Sequence, residues 1–289
     1  MAMPTHYAQV KRYIDRAVQD LPALPSAVAK LLQLTESEIV SAVEIERLVS
    51  TDQAICTKLL RVVNSAYFGL SRRISSINQA IVILGYQHVR NIALSIGALS
   101  LFKSQSPRMR ELHLRVWERS FAAAACSQAI AKDKGASVAD QELVFVGGLL
   151  HDVGKLFLLS YFSSTYEDVL RYADTRGIEI LEAESILLGI NHAEIGSQLA
   201  LAWNLPEELV ILIGRHEGPF DGDPIVSLYS THAGDRIAAF ASSTAQEPAA
   251  IGLDPAVEAW LGYDDDKMQW VIRETQQKVN EASDLLGLL

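Results

Sequence analysis

A histidine and an aspartate interrupt an otherwise apolar segment near the middle of the sequence. The segment runs from Gly147 to Leu156 and holds the adjacent pair His151 and Asp152. Side chains at neighbouring helix positions point about 100° apart, so both can reach one ion beside the helix axis. Imidazole and carboxylate are ligands that suit zinc, iron or manganese. The rest of the chain must therefore pack around a buried polar pair, which either binds a metal or is satisfied by hydrogen bonds alone.

Three glycines accompany this pair, at Gly147, Gly148 and Gly154. Each glycine costs roughly 1 kcal/mol of helix propensity relative to alanine. That cost is understandable if another helix or a ligand approaches the backbone closely at these positions. The sequence therefore predicts close contacts along one face of this segment.

The remaining sequence indicates an all-α chain. Apolar residues recur with helical spacing, and we find no segment with the alternation typical of a strand. The helix expected over Tyr86 to Phe102 is apolar on all faces, which predicts that it is buried. Helix ends are expected at Asp52, Gly85, Asp140, Gly177, Gly189 and Asn191, where capping residues stand. We expect the helix that begins at Asp140 to carry His151 and Asp152 and to reach Tyr161.

We divide the 289 residues into two helical lobes and an extension. A polar loop, Lys103 to Pro107, separates a first lobe (residues 1–106) from a second lobe (residues 107–245). A helical extension follows over residues 246–289. Because the helix of Tyr86 to Phe102 needs cover on all sides, the two lobes are expected to form one folded unit.

Charge and hydropathy restrict the partners. The net charge of -10 disfavours binding to nucleic acid, which depends mainly on lysine and arginine contacts to phosphates. The apolar run from Ile92 to Phe102 is much shorter than the roughly 20 residues of a membrane span. No basic and then apolar signal segment opens the sequence. We expect a cytoplasmic protein that binds neither nucleic acid nor a membrane.

Four motifs resemble those of a known family. Gly148–Lys155 is similar to the central motif of the HD superfamily of metal-dependent phosphohydrolases. Three upstream runs narrow the resemblance to the HDOD (HD-related output) domain, over about residues 15 to 240: Leu21–Ser26, Asn64–Gly69 and Ile77–Gly85. The resemblance implies a multi-helix, HD-like fold. We expect Asn64 itself to be structural, with hydrogen bonds to local backbone.

The resemblance also implies a set of metal ligands, for which we expect at most one divalent ion of iron, zinc or manganese. In the catalytic relatives the first metal ligand is a histidine upstream of the His-Asp pair. In this sequence Arg119 stands at the corresponding position. A second expected histidine is replaced by Arg215, although the nearby Glu217 could take its place. Arginine cannot ligate a metal because it has no acceptor atom. The metal ligands implied by the resemblance are His151, Asp152, His192, His216 and Asp235.

Three functions stay open at this point. The replacement of two histidines by Arg119 and Arg215 favours a non-catalytic or weakly catalytic signalling protein that acts through a protein partner. The chain could also form a homodimer. The alternative is a metal-dependent phosphohydrolase of a nucleotide or cyclic dinucleotide, in which Asp152 is central and Lys155 neutralises phosphate. A third function is that of a sensor, in which Arg119, Arg215 and Lys155 bind an anionic, nucleotide-like ligand.

Overall fold

The computed structural model describes residues 5–21, 23–33, 42–65, 68–102, 106–243 and 251–286. Within these ranges the chain forms sixteen helices and no strand, which confirms the all-α prediction. The first six helices are α1 (Thr5–Gln19), α2 (Ser26–Gln33), α3 (Ala42–Ser50), α4 (Gln53–Val63), α5 (Ile77–Leu84) and α6 (Tyr86–Leu99). The others are α7 (Pro107–Asp133), α8 (Val138–Leu150), α9 (Val153–Tyr161), α10 (Ser163–Arg176), α11 (Ile180–Leu188), α12 (His192–Ala202), α13 (Glu207–Arg215), α14 (Val226–Ala241), α15 (Pro255–Leu261) and α16 (Asp265–Leu286).

Most predicted helix ends are confirmed. The Asp52 carboxylate accepts hydrogen bonds from two first-turn amides of α4, at 3.0 and 3.1 Å. Asn191 forms a reciprocal capping box with Glu194 at the start of α12. Gly177 and Gly189 end α10 and α11 in the left-handed conformation, which glycine adopts without a steric cost.

Two predictions around the central segment are wrong. Ser137, and not Asp140, caps α8, since its Oγ accepts the amide hydrogen of Asp140 at 3.1 Å. The helix also does not run through to Tyr161. It ends at Leu150 and restarts at Val153, so His151 and Asp152 lie in a turn between α8 and α9.

The two halves of the chain share one core. Helix α7 packs against α8, α14 and α16, while α6 packs against α2, α4, α5 and α8. Every residue of α6 from Asn91 to Leu99 is buried, as the apolar pattern predicts. One continuous cluster of buried apolar side chains extends from Ile14 in α1 to Ile272 in α16. Residues 103–105 of the predicted loop lie outside the described ranges.

Asn64 ties the end of α4 to a later part of the chain. Its Nδ2 donates hydrogen bonds to the carbonyl oxygens of Leu60 and Ile74, both at 2.7 Å. Its Oδ1 accepts the amide hydrogen of Ile74 at 2.6 Å. The structural role expected for Asn64 is confirmed, and its hydrogen bonds join the end of α4 to Ile74, ten residues later in the chain. Ala66 and Tyr67 of the same motif lie outside the described residues.

The segment Val138–Tyr161 is long and apolar enough to span a membrane by composition alone. It is longer than the run from Ile92 to Phe102. Between Leu143 and Ser160 its only formally charged residues are Asp152 and Lys155. However, 89% of its most apolar window is buried inside the protein. Such burial is typical of core helices, which must be apolar on all faces.

The central glycines lie where other helices come close. A Cβ atom at Gly154 would lie 2.0 Å from the carbonyl oxygen of His192, and one at Gly148 would lie 2.5 Å from the Cα of Ala124. At Gly147 the nearest atom is the Cδ1 of Leu212, at 2.7 Å. The expectation of close contacts is thus confirmed, and the groups that approach belong to helices of this chain.

These contacts predict different outcomes for two matched substitutions. Gly154→Ala should lower the free energy of unfolding by about 1 to 3 kcal/mol, because the new methyl group meets rigid backbone. Gly147→Ala should cost less than about 1 kcal/mol, because the Leu212 side chain can rotate and alanine favours the helix. Urea unfolding of both variants measures the difference. Equal losses in the two variants would contradict this packing.

Candidate functional site

Several helices bring titratable side chains to one buried cluster, the central cluster. His151 and Asp152 enter it from the turn between α8 and α9, and both are fully buried. The other members come from separate helices or their ends: Arg119 (α7), Lys155 (α9), Glu184 (α11), His192 (α12), His216 and Glu217 (after α13) and Asp235 (α14).

Three imidazoles are held in the same way. His151, His192 and His216 each direct Nδ1 at an oxygen that only accepts hydrogen bonds, at 2.7, 2.7 and 2.8 Å respectively. Each Nδ1 must therefore carry a hydrogen, which leaves Nε2 to face the interior of the cluster. Metal-binding histidines are commonly oriented by such a bond. The three acceptors are Gly148 O, Glu184 Oε2 and Ile213 O.

Two of these imidazoles face each other. The Nε2 atoms of His192 and His216 lie 3.4 Å apart, so a proton or another cation must separate their lone pairs. Burial lowers the pKa of His192, but the Glu184 carboxylate outweighs burial and raises it above the usual value. Burial and the charge of His151 lower the pKa of His216 to about 4. The higher pKa of His192 favours the shared hydrogen on His192 Nε2, which then donates a hydrogen bond to His216 Nε2.

Arg119 joins the two aspartates of the cluster. Its Nη2 donates to Asp152 Oδ2, and its Nε lies 3.5 Å from Asp235 Oδ1. One quarter of the Arg119 side chain is exposed, but its Nε is fully enclosed. Burial alone would raise the pKa of both carboxyls, yet the guanidinium outweighs it and holds both pKa values well below their usual range. Both aspartates are thus ionised and paired.

Further basic groups face the same two aspartates. Lys155 Nζ lies 2.8 Å from Asp152 Oδ1, although its alignment is too poor for a hydrogen bond. His151 Nε2 donates to Asp235 Oδ1 at 3.0 Å. Burial opposes protonation of His151, but Asp152 and Asp235 outweigh it and raise its pKa to about 10.

Acidic and basic side chains pair throughout the central cluster. Four carboxylates face four basic side chains, and the low local dielectric makes such pairing necessary. The carboxylates are Asp152, Glu184, Glu217 and Asp235. The basic side chains are Arg119, Lys155, His151 and His192.

Two overlapping groups in the described residues could still hold a metal ion. One group is His151, Asp152 and His216, and the other is His192, His216 and Glu217. The ligand atoms within each group lie within 4.8 Å of one another. The donor set of imidazole and carboxylate fits iron, zinc or manganese. Asp235 belongs to neither group, and it is paired with Arg119 and His151.

Glu184, a member of the cluster, and Tyr166, which hydrogen-bonds to it, hold His192 in place, and the sequence reasoning missed both. Glu184 Oε2 accepts from both the Nδ1 and the backbone amide of His192, at 2.7 and 2.8 Å. Its Oε1 accepts from the Tyr166 hydroxyl at 2.8 Å. A glutamate on the buried face of α11, just before the His192 turn, is the signal that could have found it.

Arg215 and His232 lie outside the cluster. Arg215 is 43% exposed, and its Nη2 donates to the carbonyl oxygen of Pro219 at 3.1 Å. His232 Nδ1 donates to the carbonyl oxygen of His216 at 2.8 Å, so it holds the backbone of this candidate metal ligand in place. The structure thus brings Arg119 and Lys155 to Asp152, while Arg215 stays at the surface.

Comparison with known proteins identifies the family. The family model described as the HDOD domain matches residues 21–219. The chain belongs to the HDOD family. An uncharacterized protein of Treponema pallidum is 30% identical to this HDOD protein over 230 residues, which cover 77% of this chain and 43% of the relative. This HDOD chain therefore spans less than half of that relative.

Two crystal structures have the same fold as this HDOD protein. An HDOD domain protein of unknown function from Geobacter sulfurreducens is 22% identical, with a TM-score of 0.75, and the match covers 98% of this chain and 97% of that chain. A Shewanella amazonensis protein, provisionally named a phosphohydrolase, is 23% identical with a TM-score of 0.75, over 94% of this chain and 97% of that chain. These similarities establish the HDOD fold.

Proposed function

We propose that this HDOD protein is a cytoplasmic signalling or regulatory protein whose HD centre is non-catalytic or weakly catalytic. The observation that carries the proposal is the Arg119 guanidinium, which lies between Asp152 and Asp235. Phosphodiester hydrolysis in metal-dependent centres commonly uses two ions that share carboxylate ligands. Here a cation of the protein itself takes the place beside both carboxylates.

Charge supports this proposal. A second cation, Lys155, lies at the other oxygen of Asp152, so an ion that bound both aspartates would have to displace two ammonium or guanidinium groups. Separating buried ion pairs in this way is costly, because each released charge loses its partner. The protein would therefore act by binding, through a protein partner, a second copy or a small ligand.

A single ion fits the proposal. His192, His216 and Glu217 would hold it, since the ion pairs of Arg119 in the described residues are with Asp152 and Asp235 and not with these three. When bound, an ion of iron, zinc or manganese would supply a Lewis acid beside Asp152. In this position it would replace the proton between the two imidazoles and stabilise the fold by its binding energy.

A metal-dependent phosphohydrolase acting on a nucleotide or cyclic dinucleotide is the second candidate. It is favoured by the three Nε2 atoms that face the interior and by Asp152 Oδ1, which accepts no well-aligned hydrogen bond. In such an enzyme Asp152 would orient the nucleophile and Lys155 would neutralise a phosphate.

Hydrolysis assays separate the two candidates. We expect the purified protein, with added manganese, to release nitrophenol from bis(p-nitrophenyl) phosphate and to open a cyclic dinucleotide at, or only slightly above, the buffer rate. The physical reason is that Arg119 keeps a second ion from Asp152 and Asp235. Turnover by the wild type far above the buffer rate, which Asp152→Asn abolishes, would establish the phosphohydrolase instead.

A further inference from the structure

A large cavity lies on another side of α7, between α7, α8 and α16. Its volume is about 890 Å³, which falls within the range of roughly 300 to 1,000 Å³ typical of small-molecule sites. None of its lining residues belongs to the central cluster. The cavity is therefore a separate place where this chain could bind a ligand.

A buried carboxylate faces this cavity. Glu142 is only 7% exposed and lines the cavity together with His88. His88 Nδ1 lies 2.8 Å from Glu142 Oε1, and Asn91 Nδ2 donates to Oε2 at 3.2 Å. Gln128 Nε2 adds a contact to Oε1 at 3.5 Å, the limit of a hydrogen bond.

The carboxylate of Glu142 retains capacity for another donor. A carboxylate offers about four acceptor sites, and Oε2 uses one of its two among the described contacts. A carboxylate that is only 7% exposed is poorly solvated and gains from a further donor. An anionic group would instead be repelled at this end of the cavity. The inner end therefore favours a group that donates hydrogen bonds.

Much of the remaining lining is apolar, beside the charged side chains of Lys132, Asp133 and Glu274. Cys126, Ala129 and Ile130 of α7 form one wall. Trp270 is about half exposed and lines the opposite side, and Lys267 Nζ lies 5.0 Å from its ring. Val138, at the start of α8, also lines the cavity and is 75% exposed. Exposed tryptophan beside apolar walls offers a stacking surface for an aromatic ring.

We propose that this cavity binds a flat aromatic nitrogen heterocycle of the nucleobase class, whose exocyclic amino group donates to Glu142. The ring would lie against Trp270 and the apolar wall of α7. The amino group would use the acceptor site that Oε2 retains. This ligand is distinct from any metal or phosphate at the central cluster.

Calorimetric titration with two matched pairs of nucleosides tests the proposal. Guanosine differs from inosine only by an exocyclic amino group, and adenosine differs from purine riboside in the same way. In at least one pair the amino compound should bind about 10- to 100-fold more tightly, as expected for a hydrogen bond to a charged group. Equal affinities within both pairs, or no binding of any of the four compounds at 1 mM, would overturn the proposal.

Three variants assign the binding to this cavity. Val138→Trp should abolish binding because the indole fills the mouth, while Ala139→Trp, at an exposed neighbour that does not line the cavity, should leave it unchanged. Glu142→Gln should remove the preference for the amino compound. If Glu142→Gln does not fold, the two tryptophan variants still decide. Binding that Val138→Trp leaves intact would place the ligand elsewhere and contradict the proposal.

Discussion

Replacement of Asp152 by alanine is expected to lower the free energy of unfolding by about 3 to 5 kcal/mol. Arg119 faces one carboxylate oxygen and Lys155 faces the other, and the carboxyl group is fully buried. Its removal leaves two cations close together without their common anion. Urea unfolding of the wild type and Asp152→Ala, each with and without EDTA, measures the loss.

Asp221→Ala is the matched control for that prediction. Asp221 also lies near an arginine, at 3.6 Å from Arg215, but this pair is on the surface. Exposed ion pairs contribute about 0 to 1 kcal/mol, so this variant should unfold almost like the wild type. If Asp152→Ala were as stable as Asp221→Ala, Asp152 would not hold the central cluster together. A loss that EDTA alone reproduces in the wild type would instead indicate a bound metal.

The second large effect is expected for Arg119→Met, which removes the charge and keeps much of the side-chain volume. Asp152 and Asp235 then repel each other across the vacated place, and the free energy of unfolding should fall by about 2 to 4 kcal/mol. This range is reduced from that of a fully buried pair, because one quarter of the Arg119 side chain is exposed. Thermal and urea unfolding measure the change.

Manganese should distinguish the lost charge from lost packing in Arg119→Met. A divalent ion can take the place of the guanidinium, and at 100 times its dissociation constant it restores about 2.7 kcal/mol. Arg215→Met removes an exposed arginine and should change neither stability nor the response to manganese. Equal stability of the two methionine variants would contradict the role assigned to Arg119.

Much of the fold could be predicted because its determinants are local. A cap such as Asp52 or Asn191 acts within three residues, and Gly177 ends a helix through its own backbone conformation. The break between α8 and α9 was not predicted. Next to the break, Gly154 packs closely against the backbone of His192, a contact that is distant in the sequence and that no local pattern indicates.

The candidate site could be predicted only in part. The histidines and aspartates stand out by residue type, and most of them meet in the central cluster. The roles of the two arginines could not be separated, because Arg215 and His216 are adjacent in sequence yet point about 100° apart, one to the surface and one to the core. Similarly, Arg119 is identified as a partner of Asp152 only once α7 is placed against α8.

The central claim is that Arg119 occupies the place of a second metal ion beside Asp152 and Asp235. The number of metal ions bound per chain tests this claim most directly. Wild type and Arg119→His, purified in parallel with manganese and freed of loosely bound ions, would be analysed for metal per chain. We expect at most one ion in the wild type and one more in Arg119→His, since histidine replaces a cation by a ligand. Two ions per wild-type chain, with no gain in Arg119→His, would contradict the account.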